Sequence, residues 1–197
     1  MLHVISSCYE KYNHLFPEDK FIELDLGCGK GSFTVALAER YPERHIVGAD
    51  IMLGRLRKIR NRITNHYPHI ENVDLLRATA VELIGFQLPR FSVDRIHILC
   101  PDPWPKARHR AKRLLCSEFF GRLANVIKPG GVLHVATDDK PYLAFILEAI
   151  KGNKYFDVDK TGIDDIRDEG MKTDFERQWE RQGIMTTHLS YRRNDTP

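Results

Sequence analysis

Short apolar runs alternate along the chain with stretches in which apolar positions recur every three or four residues. "FIELDLG" (21–27) is an apolar run with acids inside it that ends on glycine, and it predicts a strand. "SFTVALAERY" (32–41) follows at helical period, with Phe33, Leu37 and Tyr41 on one face and Pro42 closing it. "HIVGAD" (45–50) predicts a second strand ending on an acid. "IMLGRLRKIRNRI" (51–63) is again helical, with Leu53, Leu56, Ile59 and Ile63 as the stripe and the arginines pointing away. "VDLLRATA" (73–80) and "VDRIHILC" (93–100) predict strands three and four. An amphipathic helix over 114–127 is stopped by the turn-forming "KPGG" (128–131). A fifth strand (132–138), a helix starting on proline (141–151) and two more strands near 154–159 and 184–192 complete the pattern.

Strands alternating with helices, in runs too apolar for a half-exposed sheet, predict an α/β domain with a doubly wound, mostly parallel sheet. No repeat, low-complexity tract or linker divides the sequence, so one domain over 1–197 with a short N-terminal extension is expected. No apolar stretch approaches the ~20 residues that span a bilayer, and the first residues lack the apolar core of a signal peptide. A cytoplasmic protein with no membrane contact is therefore expected. Cys8, Cys28, Cys100 and Cys116 form no CxxC pair, which argues against a disulfide framework or zinc site. His66 and His69 stand in a proline-broken loop, so no metal is expected.

The formal net charge of +3 says little, but its distribution says more. Arg55, Arg57, Lys58, Arg60 and Arg62 crowd one stretch, and "KARHRAKR" (106–113) forms another. The segment 157–180 is instead rich in Asp and Glu. Two basic runs in one small domain create a local field suited to a polyanion, although a single run is commonly just a solvated helix face.

"ELDLGCGKGSF" places glycines at Gly27, Gly29 and Gly31 between strand and helix. The spacing differs from the dinucleotide fingerprint, whose last glycine serves helix packing. Asp25, two residues ahead of the loop, would repel a pyrophosphate but suit an ammonium group. Asp50, ending the second strand, is placed to accept hydrogen bonds from ribose hydroxyls. Together these acids point to an adenosine cofactor with a cationic amino-acid tail, S-adenosylmethionine.

The end of strand four carries "PDPWPKARHRAKR". Asp102-Pro103-Trp104-Pro105-Lys106 followed by Arg108-His109, with "ATDD" (136–139) and "KTDFE" (172–176), resembles the signature of bacterial tRNA (guanine-N7)-methyltransferases over residues 21–192. The resemblance implies the class I methyltransferase fold, a Rossmann-like seven-stranded sheet of order 3-2-1-4-5-7-6 with the seventh strand antiparallel. It implies methylation of the variable-loop guanine at tRNA position 46, in a monomer or homodimer. It makes Asp102 the active-site acid, bordering the cofactor as well, and gives substrate contacts to Lys106, Asp138 and the loop Thr173, Asp174, Phe175, Glu176. The basic residues Arg108, His109, Arg110, Lys112 and Arg113 would clasp phosphates near the methyl donor. Trp104, between prolines, reads better as a packing anchor than as a stacking platform.

Guanine N7 offers a lone pair and no proton, so its methylation needs no general base. It needs orientation, and acceptors for the N1–H and N2–H₂ donors, which carboxylates supply. The sequence departs from the family after strand three, where "LRATAVE" puts Thr79 in the place of an acid near the adenine, with Glu82 as an alternative. Asp138 could instead cap the helix that starts at Pro141, and Glu176 could be a solvated helix acid. The acidic, glycine-punctuated composition of 160–176 suggests a mobile loop. Two competing functions stay open: an RNA-binding module without catalysis, and a methyltransferase for small molecules or proteins.

Overall fold

The computed structural model describes residues 1–4 and 11–196, so Cys8 lies outside the described residues. Its strands are β1 (Leu2–Val4), β2 (Ile22–Leu26), β3 (His45–Asp50), β4 (Val73–Arg77), β5 (Val93–Leu99), β6 (Ile127–Thr137), β7 (Phe156–Val158) and β8 (Thr187–Arg193). Its helices are α1 (Ser32–Arg40), α2 (Leu53–His66), the short α3 (Ala80–Glu82), α4 (Ser117–Val126), α5 (Lys140–Ile150) and α6 (Asp174–Glu180), joined in places by 3₁₀ turns and one π-helical turn at Leu83–Gln87.

One sheet runs β1-β4-β3-β2-β5-β6-β8-β7. Setting β1 aside, β2 to β8 follow the expected order 3-2-1-4-5-7-6, and β8 is antiparallel to both neighbours. Among the described residues the sheet has eight strands rather than seven. The extra one, β1, lies parallel on the outer edge of β4 and is three residues long, too short to show any periodicity. The "KPGG" turn does not end before a strand but lies inside β6. Val93 pairs with Ile127 and Arg95 with Val132, so residues 128–131 bulge out of the ladder, with Gly130 at φ 77°.

Alternation along the strands sorts the side chains into two layers. Ile22, Leu24 and Leu26 of β2, Ile96 and Ile98 of β5, and Leu133 and Val135 of β6 face a core closed by α4 and α5. The opposite face is covered by α1 and α2 with Ile163, Ile166 and Met171. That second face also receives the intervening polar residues of the same strands: Glu23, Asp25, Arg95, His97 and His134, all buried.

The acidic stretch expected to be mobile folds into 3₁₀ turns and α6, with several of its acids paired. Asp165 accepts from Tyr41 (3.0 Å) and from Arg95 (3.1 Å), while Arg40 at the end of α1 binds Asp168.

Candidate active site

The carboxyl ends of β2, β3, β4 and β5 open onto a cavity of about 600 Å³, within the usual range for small-molecule sites. Its walls include Asp25, Gly27, Gly29, Asp50, Thr79, Asp102, Lys112 and the segment Thr173–Phe175. It lies where strand order reverses beside β2, the switch point at which open α/β sheets bind ligands.

The glycine loop is drawn against β3 by backbone bonds from Gly27 and Cys28 to the carbonyl of Ala49 (2.8 and 2.9 Å). Asp50 extends that tether: one carboxylate oxygen accepts from Gly29 N–H (3.0 Å), the other from Met52 N–H (2.7 Å). The oxygen bound to Gly29 also accepts from the Arg55 guanidinium (3.4 Å), while the one bound to Met52 retains a lone pair, so Asp50 can still accept from a ribose hydroxyl in the cavity it lines. Gly27 and Gly29 have φ of 87° and 57° and face the cavity. Gly31 departs from the expected cofactor contact. It lies outside the cavity lining, and a Cβ there would meet the buried Ile59 side chain at 2.6 Å. Its role is to let α1 start close against α2, the packing task that belongs to the last glycine of the dinucleotide fingerprint.

Asp25 is 3% exposed and accepts from Thr34 Oγ1 at 2.6 Å. Burial pushes its carboxyl up to about 7; the Thr34 hydrogen bond opposes the rise and the nearby Asp50 adds to it. An arriving ammonium would favour the ionised form. Cofactor binding should then release a proton below about pH 7, and affinity should rise by up to about tenfold per pH unit towards pH 7 before levelling. Calorimetry across that range, in buffers of different ionisation enthalpy, reads this directly. A flat profile would take Asp25 out of contact with the ammonium.

Thr79 borders the cavity as the cap of α3, accepting from Glu82 N–H (3.2 Å) while its hydroxyl donates to the Glu82 carboxylate (2.7 Å). Glu82 is engaged in that cap and lies outside the cavity lining, whereas Thr79 borders the cavity.

The corner after β5 is strained at both ends. Cys100 and Trp104, neither a glycine, have φ of 50° and 45°, a conformation that persists only when the surroundings impose it. Cys100 N–H is fixed to Ala136 O (2.8 Å), and Arg113 Nε donates to Pro103 O (2.9 Å). Asp102 stands exposed between them, on the cavity wall. Trp104 is half-buried, with His109 edge-on at 5.7 Å and the Lys112 ammonium 4.8 Å from its centroid.

Arg113 differs from the expectation of a phosphate contact: it is buried, with its guanidinium about 5 Å from the rings of Tyr142 and Phe145. It braces the corner from behind. Arg108, Arg110 and Lys112 are exposed, while Lys106 is exposed but outside the cavity lining.

Asp138 does not cap α5; its neighbour Asp139 does, accepting from Tyr142 N–H at 2.6 Å. Among the described residues Asp138 makes no side-chain hydrogen bond or ion pair. Burial, with Glu176 and Asp138 adding to it, pushes the Cys100 thiol up to about 12; neither carboxylate is part of the cavity lining. Glu176 is buried rather than solvated and completes a capping box with Thr173 at the start of α6. Asp174 accepts from Ser32 Oγ at 2.7 Å, and Phe175 is exposed on the cavity wall.

Sequence reasoning missed one constellation. Glu23, His97, His134 and His188 form a hydrogen-bonded row beneath the site and end on Glu176. Glu23, His97 and His134 are polar residues at alternate positions of strands rich in apolar residues, which was their only signal, and His188 stands in the largely polar β8 with no signal at all.

Eight strands in this order, with a glycine loop and two acids at the switch point, define a class I methyltransferase. Solved structures agree on the fold: the 16S rRNA methyltransferase KamB superposes with TM-score 0.65 at 18% identity, covering 92% of each chain. Coclaurine N-methyltransferase, solved with N-methylheliamine and SAH, gives 0.58 at 13% identity over 92% of this chain and 70% of that one. Residues 19–189 match the family model described as "Putative methyltransferase". The tRNA (guanine-N(7)-)-methyltransferase of Neisseria meningitidis serogroup C is 34% identical over 178 residues, 86% of this chain and 71% of that protein. That of Nitrosospira multiformis is 29% identical over 170 residues, 86% and 73% respectively. That of Thermotoga maritima is 30% identical over 175 residues, and there the chain spans 55% of the relative's length. The chain belongs to the tRNA (guanine-N7)-methyltransferase family.

Proposed function

We propose that this chain transfers the methyl group of S-adenosylmethionine to N7 of a tRNA guanine, the variable-loop guanine at position 46. The observation that carries the reading is the single cavity shared by Asp25, Asp50, the glycine loop and the exposed Asp102 on its strained corner. The residues suit the cofactor. A buried carboxyl with a raised pKa awaits an ammonium, Asp50 retains acceptor capacity for ribose hydroxyls, and the glycines leave room for a close backbone approach. S-adenosylmethionine supplies an electrophilic methyl group on a sulfonium.

The protein's part is orientation. With the methyl donor bound, the N7 lone pair would accept the methyl group and the C–S electron pair would remain on sulfur, so the protein need move no proton. The ring gains positive charge, which Asp102 and Asp138 stabilise while accepting from the N1–H and N2–H₂ edge. Thr173–Phe175 close the cavity from the side of α6. Arg108, Arg110 and Lys112, with Arg57, Lys58 and Arg60 on the exposed face of α2, engage the phosphate backbone.

Incubation with labelled cofactor and bulk tRNA tests the reading. Label in 7-methylguanosine supports it. Binding without transfer would favour an RNA-binding module, and indifference to tRNA a methyltransferase for another substrate. Replacing Arg108 and Arg110 by Ala should flatten the log–log salt dependence of tRNA binding by roughly 0.7–0.9 per lost phosphate contact. An unchanged slope would remove the corner from the backbone clamp.

A further inference from the structure

Four strands of one sheet place a continuous row of ionisable side chains on the face covered by α1. His97 of β5 and His134 of β6 are cross-strand partners, and His188 of β8 pairs with Ala136, two residues along from His134. Glu23 Oε2 lies 2.7 Å from His97 Nε2, and His97 Nδ1 lies 3.0 Å from His134 Nδ1. His134 Nε2 lies 2.9 Å from His188 Nδ1, and His188 Nε2 lies 2.8 Å from Glu176 Oε1. These are direct hydrogen-bond lengths with no room for an intervening ion.

The row fixes its own proton count. Each of the four contacts needs one proton, a neutral imidazole carries one, and an ionised carboxylate carries none. Glu23 is held at about 2 although burial alone would raise it, because His97, Arg95 and Arg44 bind or face its carboxylate. Glu176 is likewise held below the usual carboxylate range against its burial, by His188 and Thr173. Three neutral imidazoles then supply three protons for four bonds, so the intact row holds one in excess. His97 and His134 are poor carriers: burial lowers both, and Arg95 faces each of them, with Arg167 also acting on His134. His188 is the one ring of the row reaching solvent, at 22% exposure, and it sits against Glu176.

We propose that His188 is a positioning residue, carrying the row's excess proton as an imidazolium that pins Glu176 and through it the segment Thr173–Phe175 that walls the cavity. The connection is short. The Glu176 oxygen not bound to His188 accepts from Thr173 N–H (2.7 Å), and Glu176 N–H donates to Thr173 Oγ1 (3.1 Å). One carboxylate thus joins the row to the cap of α6. This deepens the proposed function by assigning the acceptor side of the site a buried support. The other charged groups at this end are Arg167, Asp168 and the Lys172–Glu180 pair, which line the same cavity as His188 and Glu176, and Asp138, which acts on Cys100.

Two measurements test the proposal. In ring-¹⁵N spectra of the wild-type protein at pH 7, His188 should carry protons on both ring nitrogens and His97 and His134 on one each; a singly protonated His188 overturns the proposal. In methylation kinetics, His188→Gln should lower kcat/KM for tRNA by roughly tenfold or more while the cofactor Kd stays within about threefold. His188→Lys, which keeps a cation with several donors, should recover most of that loss. Equal failure of Gln and Lys, unchanged kinetics in His188→Gln, or a parallel loss of cofactor affinity would each refute the positioning role. If His188→Gln does not fold, the wild-type spectrum still decides. If the wild-type protein does not methylate tRNA, the functional reading falls, while the spectrum separately decides the row.

Discussion

Asp102→Ala is expected to lower kcat for tRNA methylation by at least about a hundredfold while leaving the cofactor Kd within about threefold. The first half follows from alignment: a methyl transfer without acid–base chemistry depends on holding N7 in line with the methyl carbon, and misplacement by about 1 Å can cost a hundredfold. Asp102 is the exposed carboxylate on the wall that the corner presents, and the backbone on either side of it is strained at Cys100 and Trp104. Such strain at a functional corner is tolerable because Ala136 and Arg113 hold it in place. The second half follows because Asp25, Asp50 and the glycine loop are tied to one another and to β3, not to Asp102. Asp102→Asn should fall between wild type and Ala, since an amide offers one acceptor oxygen where the carboxylate offers two. Single-turnover kinetics with cofactor calorimetry separate the terms. Parallel loss of binding and transfer would make Asp102 a cofactor residue first.

What could be read from the sequence followed the strength of local signals. The β2-loop-α1 unit was legible because an apolar run, three glycines and a helical stripe adjoin one another. Seven strands and their order came from the same alternation and from the family resemblance, while β1 offered three residues and no period. Asp25 and Asp50 were identifiable from their places beside the glycine loop and at a strand end, Asp102 from the family resemblance, and all three line the cavity. Arg113 was misjudged because charge alone does not reveal direction: in a run of exposed cations it is the one turned inward onto aromatic rings. Composition made 160–176 look loose, yet its acids meet Arg40, Tyr41 and Arg95, which lie more than 60 residues away in sequence. The histidine row was hidden for the same reason. Its members are single polar residues spread over four strands, and only the sheet order makes them neighbours.

Gly31 separates two reasons for a glycine within one short loop, and Gly31→Ala should destabilise the fold by roughly 2–5 kcal/mol. About 1–2 kcal/mol of this is the cost of a Cβ in the left-handed region at φ 75°. Another ~1–3 kcal/mol is overpacking, since the new carbon would stand 2.6 Å from both Cγ1 and Cδ1 of Ile59. Ile59 cannot swing aside, being β-branched and 1% exposed. A melting-temperature fall of roughly 4–20 °C is expected for a domain of this size. Gly27→Ala meets nothing within 4 Å, so only the conformational part applies there, and its Cβ would stand by the cavity. Gly27→Ala should therefore weaken cofactor binding more than it lowers the melting temperature, and Gly31→Ala the reverse. A double-mutant cycle with Ile59→Ala isolates the contact: in that background Gly31→Ala should cost about 1–3 kcal/mol less, with the left-handed penalty left intact. Additive effects would mean that the α1–α2 approach is not what requires glycine at this position.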